Sequence, residues 1–335
     1  MSEKDSFVAP KNNAARPPSF WRRFGMQLGI WSVGLIMLMF FVVLAPSAFT
    51  HKNIYLAFAS TTPIFALMAL PLTLVVITGE IDLSFPSVMA LSACVFGEMS
   101  QSGISIWISL IVGIIAGFCC GLLNGFLVTF FNLPSLVITI GTQFLFLGIT
   151  LAWTNGAGVD LTPTKYNTIS RILIGTPFWG IANQFWWTIV ATTLLWVLLN
   201  RTKFGAHVFL TGDNKISAQL MGVNVKRIKT FTFAIMGAFA AFAGLVGSFN
   251  LNYFFPNMGS GLLLNTVAAV FLGGTSVFGG TGSVTGTLVG AFIIGSINAG
   301  IVASGVNAFY TQVFFGLVII LSVILQAMIG KRIKK

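Results

Sequence analysis

The chain has 335 residues, of which 7% are charged and 56% hydrophobic, with a mean hydropathy of +0.92. Soluble proteins carry charge on about a quarter of their residues, yet from Thr230 to Gly330 this chain holds no Asp, Glu, Lys or Arg. A soluble globule, a disordered tail and a nucleic-acid binder are excluded, the last despite a formal net charge of +11. The composition is that of an all-α polytopic membrane protein.

In chain order, a basic tail (1–25) leads into an apolar run over 26–46. That run exceeds the ~7–15-residue core of a secretory signal and is followed by more of its kind, so it reads as an uncleaved first span. Further spans are predicted near 55–78, 85–101, 104–129, 135–153, 185–200, 230–250, 263–279, 284–303 and 308–329. These runs are long and continuous and lack the period-two alternation of a transmembrane β-barrel. Pro63 and Pro71 are expected to interrupt the second span, and Pro86 opens the third. Such breaks are tolerated only where protein or a water-filled cavity satisfies the freed backbone groups. The domain reading is one transmembrane unit over 26–330, with a basic segment at 201–229 and a basic end at 331–335.

With ten spans, fifteen of the eighteen cations fall on one side, leaving Lys52, Lys165 and Arg171 opposite. Positive residues mark the cytoplasmic side, so both termini and the 201–229 loop are expected there. The high pI is thereby topology. The loop at 154–184 would face outward. No GxxxxGK[ST] phosphate loop is present, so ATP, if used, must be bound by another chain.

Gly113, Gly117, Gly121 and Gly125 step by four along the fourth span. Gly282, Gly286 and Gly290, then Gly295, do nearly the same in the ninth. Residues four apart share a helix face, and glycine there lets two backbones approach closely. Each stripe ends in GxxN, at Asn124 and Asn298. An inverted repeat relating spans 2–5 to spans 7–10 would make these two spans counterparts.

Polar groups inside the spans are few. Thr78-Gly-Glu-Ile-Asp-Leu-Ser84 carries Glu80 and Asp82 where proline breaks the pattern. Carboxylates at membrane depth line cavities or sit at an interface, so Glu80, Asp82 and Ser84 read as a gate or solute site, or as a solvated turn. Asn124, Gln143 and Asn298 could bond a solute or hold helices together. Cys94, Cys119 and Cys120 lie in apolar runs without metal-ligand spacing, and His51 and His207 have no partner motif. Neither a metal site nor a catalytic constellation is expected.

Residues 211–225 read TGDNKISAQLMGVNV. Asp213 or Asn214 can cap a short helix and Gly222 can end it, with Ile216 and Leu220 on one face. Such a helix suits a partner's groove or the membrane surface.

Four stretches in order resemble one family. They are GEIDLSFPSVMAL (79–91), GLLNGFLVTFFNLPSLVITIGT (121–142), GDNKISAQLMGVNVKRIK (212–229) and VFLGGTSVFGGTGSVTGTLVGAFIIG (270–295). With their spacing they cover about 25–330, and the chain resembles the permease subunit of bacterial monosaccharide ABC importers. That is the branch with ribose, xylose, galactose and autoinducer-2 permeases. The resemblance implies about ten helices in the bacterial inner membrane, paired with a second permease copy or a related permease. It also implies cytoplasmic ABC ATPase subunits, which bind the ATP and Mg, and an extracytoplasmic solute-binding protein. No cofactor is implied in this chain. The segment 212–222 would be the coupling helix, carried over at Gly212, Asn214, Ala218 and Gly222, with Asp213 and Leu220 beside them. The chain departs from the family's pattern where Glu80 stands for a glycine, Phe85-Pro86 for Val-Gly, Leu147 for an arginine, and Asp213 for the second glycine of GGN. An ion-coupled secondary transporter is the alternative. The uncharged stretch 230–330 counts against it, since such proteins use buried carboxylates or cation sites.

Overall fold

The computed structural model describes residues 39, 42–43, 46–165, 167–303, 307 and 309–333. The basic tail 1–25, most of the predicted span 26–46 and residues 334–335 lie outside the described residues. The rest is a bundle of helices. After a single turn, α1 (Pro46–Phe49), come α2 (Lys52–Ile77), α3 (Phe85–Gln101), α4 (Ile106–Phe130) and α5 (Ser135–Thr154). A connection follows with β1 (Val159–Asp160), a 3-10 turn and α6 (Thr168–Ile174), then α7 (Asn183–Arg201). Two short helices, α8 (Lys203–Asp213) and α9 (Lys215–Leu220), lead to α10 (Val225–Leu251), and β2 (Tyr253–Phe254) comes next. The chain closes with α11 (Leu263–Leu272), α12 (Val284–Ala303) and α13 (Tyr310–Ile333). Five of these, α2, α4, α5, α10 and residues 284–301 of α12, are long and apolar enough to cross a membrane.

α2 runs through the centre, with its residues from Phe65 to Ile77 buried. The expected interruption by Pro63 and Pro71 does not occur: the helix is continuous across both. Each proline removes one helical hydrogen bond. The loss is tolerated because α7, α10, α11 and α12 pack around this helix, so the freed carbonyls face protein and not lipid. α10 lies beside α2 and also against α3 and α4.

The predicted eighth span, 263–279, is shorter than expected. The helix stops at Leu272, and Gly274, Gly279 and Gly280 adopt positive φ in the turns that follow. Left-handed backbone of this kind is open to glycine and closed to most other residues, so the apolar run continues while the helix cannot. Conversely, α10 begins at Val225, which puts Lys226, Arg227 and Lys229 in the first turns of a spanning helix and not in a loop.

Helix contacts follow a paired pattern. α4 packs on α3 and α10, and α12 packs on α11 and α2. α5 contacts α3, as α13 contacts α11. The connection 78–84 brings Asp82 and Ser84 inside the bundle, and the one after β2 brings Met258 inside, where Gly259 lies directly on the backbone of Pro86.

Two ends can be distinguished. Ile77, Phe130, Ser135, Val225 and Gly282 gather at the end that carries 201–229, called the near end. At the far end β1 and β2 pair antiparallel, Val159 with Phe254 and Asp160 with Tyr253. Asp160 accepts from Thr162 N at 2.9 Å and Thr162 Oγ1 at 2.6 Å, and these bonds hold its carboxyl below the usual range.

Candidate functional site

The near end is built on close backbone contact. Ile77 ends α2 and its carbonyl accepts from Gly280 N at 2.9 Å. A Cβ on Gly212 would collide with that carbonyl and sit 2.6 Å from Gly280 N. Gly279 lies where a Cβ would be 3.0 Å from Gly79 and 3.2 Å from the Gly212 carbonyl, and Gly280 faces Asp213. Four glycines therefore join three separate chain segments: the end of α2, the α8–α9 junction and the turns after α11. Gly79, Gly279 and Gly280 also have positive φ, which favours glycine by conformation, and at Gly279 and Gly280 its small size is needed as well.

α9 projects from this junction. Asn214 caps it, accepting from Ser217 N at 2.9 Å, while Asp213 is the last residue of α8. Met221 and Gly222 end it, and Val223 N donates back to the Ala218 carbonyl at 3.0 Å. Ala218 is fully buried, whereas Ile216, Leu220 and Met221 are 70%, 84% and 60% exposed. A six-residue helix has little stability alone. Here it is held by its cap and by Ala218, and its apolar side chains face away from the bundle.

Next to this junction lies a buried polar chain. Asp82 accepts from Ser84 N at 2.8 Å and from Ser84 Oγ at 2.7 Å. Ser84 Oγ in turn accepts from Asn124 Nδ2 at 2.6 Å, so α4 is tied to the start of α3. All three residues are buried, and Asn124 Oδ1 has no hydrogen-bond partner among the described residues. α5 supports the same turn, with Ser135 Oγ accepting from Ile81 N at 3.0 Å. Glu80 points the other way and pairs with Lys229 of α10. It lines a cleft of about 260 Å³ with Val128, Thr129, Lys215, Lys226 and Lys229. Gln143 is half-buried on α5 and Asn298 is exposed on α12, and neither joins these contacts.

The glycine stripes lie along helix contacts. On α4, a Cβ at Gly117 would come within 2.5 Å of Ala241 Cβ and one at Gly125 within 2.6 Å of Thr230 Cα, while Gly121 abuts the Phe233 carbonyl. Gly113 faces Ser92 and Phe96 of α3. On and before α12, Gly286 and Gly290 face Gly273 and Ala269, and Gly282 faces the Ile77 side chain. Lys229, Ser135, Gly79, Gly279 and Gly280 take part in the site without having been singled out in the sequence. The Gly-Gly pair at 279–280 was the one local signal available for any of them.

Residues 54–323 match the family model described as "Branched-chain amino acid transport system / permease component". The chain belongs to this permease family. The match spans α2 to most of α13 and so includes every contact described above. The chain is 35% identical over 295 residues to the ribose import permease protein RbsC of Bacillus subtilis, covering 88% of this chain and 91% of that protein. It is 32% identical over 289 residues to the autoinducer 2 import system permease protein LsrC of Photorhabdus luminescens, covering 86% and 85%. The Escherichia coli K12 RbsC is 30% identical over 293 residues, covering 87% and 91%. No solved structure matches this chain.

Proposed function

We propose that this protein is the membrane-spanning permease subunit of an ATP-binding-cassette importer, moving a monosaccharide or related polyol across a bacterial inner membrane. Family membership and the names of the similar permeases support importer chemistry. The observation that carries the mechanism is α9: a capped helix with Ile216, Leu220 and Met221 exposed, mounted on the backbone junction of Gly79, Gly212, Gly279 and Gly280.

On this reading the chain has ten spans, with both termini and α9 in the cytoplasm, and the paired pattern of helix contacts supports an inverted repeat of α2–α5 and α10–α13. Two ATPase subunits bind ATP and Mg and receive the apolar face of α9. When they close, the push enters at Gly212, Asp213 and Asn214 and is delivered at once to α2 and to the turn before α12. The junction contacts both halves, so one input moves both. Coupling of this kind needs the ATPase pair to bind one permease state better than the other. A second permease copy completes the path, an extracytoplasmic binding protein delivers the solute, and the permease itself contributes no catalytic group. The Glu80–Lys229 pair latches the near end, and the Asp82–Ser84–Asn124 chain is its polar backing.

The test is reconstitution in vesicles with the ATPase and the binding protein. ATP hydrolysis should rise with loaded binding protein, and uptake should follow ATP. Uptake that instead collapses with the proton gradient while ATP stays high would replace this reading by an ion-coupled transporter.

A further inference from the structure

Beside the near-end cleft, a second groove runs between the end of α4 and the start of α10. It has a volume of about 450 Å³ and is lined by Phe126, Thr129, Phe130, Lys226, Arg227, Thr230 and Phe231. The layering is ordered. Lys226 and Arg227 lie in the first turn of α10, and Thr230 and Phe231 follow four residues later on the same face, one turn deeper along a spanning helix. On the α4 side Phe130 is at the helix end and Phe126 one turn deeper, the two rings stacked at 5.0 Å. The groove exists because Gly125 lets Thr230 approach to van der Waals distance, with Thr129 Oγ1 and Thr230 Oγ1 3.0 Å apart, so the backbones touch while the aromatic side chains stand away on either flank. Phe126, Phe130 and Phe231 are each about half exposed, and Phe204 of α8 supports Phe231 edge-on at 5.6 Å.

A cationic rim above an aromatic trough, at the end of two membrane-crossing helices, matches one kind of molecule. We propose that this groove binds an anionic phospholipid of the leaflet at the near end. Its phosphate would be held by Lys226 and Arg227, and its acyl chain would lie between Phe126, Phe130 and Phe231. Two features support a lipid over a soluble anion. The charges stop at the rim while the groove continues as apolar surface, which a free phosphate cannot use. Lys226 also lines the neighbouring cleft, where Lys215 and Lys229 outnumber the single carboxylate Glu80, so the rim retains excess positive charge after the Glu80–Lys229 pair is counted. Basic residues next to a spanning helix attract acidic headgroups. The inference depends on α4 and α10 crossing a membrane and not on what is transported.

The full-length chain would be placed in phosphatidylcholine vesicles with a minor fraction of a photoactivatable phosphatidylglycerol, or of phosphatidylcholine carrying the same label, and labelled peptides mapped. The phosphatidylglycerol probe should mark 123–131 and 226–231 on the order of twenty-five-fold more than the phosphatidylcholine probe, about fivefold for each of the two cations. Lys226→Gln or Arg227→Gln should each lower that ratio about fivefold, and the pair more, whereas Lys52→Gln at the far end should leave it unchanged. Raising the salt should lower the ratio in the unaltered chain, a readout that needs no variant to fold. Equal marking by both probes, or a ratio untouched by salt and by the double change, overturns the proposal. Loss of marking on adding inorganic phosphate at matched ionic strength would mean a small-anion site. Complete protection by bound ATPase subunits would mean that a protein occupies the groove. Either result overturns the proposal.

Discussion

The stripe on α4 and the junction at the near end both consist of glycine, and they use it for opposite purposes. Gly117, Gly121 and Gly125 have ordinary helical backbone and are needed for what they lack, a Cβ that would strike α10. Gly79, Gly279 and Gly280 have left-handed backbone and are needed for the conformation itself, and Gly212 beside them is needed for clearance from two backbones at once. Regular close packing over several turns makes one rigid body of α4 and α10. A few irregular contacts at a point make a joint. On the proposed coupling, the comparison separates a part that must not move from a part through which movement would pass.

Substitutions should divide along that line. The largest effect on folding is expected for Gly121→Leu, which drives a side chain into the Phe233 carbonyl in mid-contact. Properly folded protein should disappear from size-exclusion profiles of the detergent extract. Gly117→Ala, a milder insertion, should cost about 1–3 kcal/mol, read as a lower melting temperature with transport scaling only with the folded fraction. Gly212→Ala should separate uptake from stability. Its Cβ collides with the Ile77 carbonyl, so melting should fall here too, but ATP-driven uptake should fall on the order of tenfold beyond the loss of folded protein, equivalent to about 1.4 kcal/mol of lost coupling. Equal losses of stability and uptake in both glycine sets would erase the distinction. Glu80→Gln comes next, because it leaves the Lys229 ammonium without its charged partner; a partly buried donor left short of its partner is expected to cost about 1–3 kcal/mol. Lys229→Met combined with it should restore part of the loss in a double-mutant cycle. Asn298→Ala is the smallest: the residue is exposed on α12 and joins no near-end contact, so stability should stay within about 0.5 kcal/mol.

Much of the fold was legible because membrane helices announce themselves through length and apolarity. The cap of α9 was legible too, since Asn214 and Gly222 act within a few residues of each other. What could not be read locally depends on partners far along the chain. Nothing near Glu80 points to Lys229, 149 residues away, and nothing near Asp82 indicates that Asn124 completes its network. Apolarity alone carried the expected eighth span past Leu272, because hydropathy does not register the positive φ of Gly274. Pro63 and Pro71 misled for a related reason: whether a proline breaks a helix depends on what encloses it, which a single segment does not state. The two-residue strands β1 and β2 are too short to leave a periodic signal.

Those strands carry a consequence for how a solute could enter. β1 follows the α2–α5 half and β2 follows α10, so the ribbon sews the two halves of one chain together at the far end. A seam there prevents the halves from parting like a clam shell on that side. On the proposed pairing of two permease copies, an entrance at the far end would be shaped between the copies, and each chain would swing as a whole leaf.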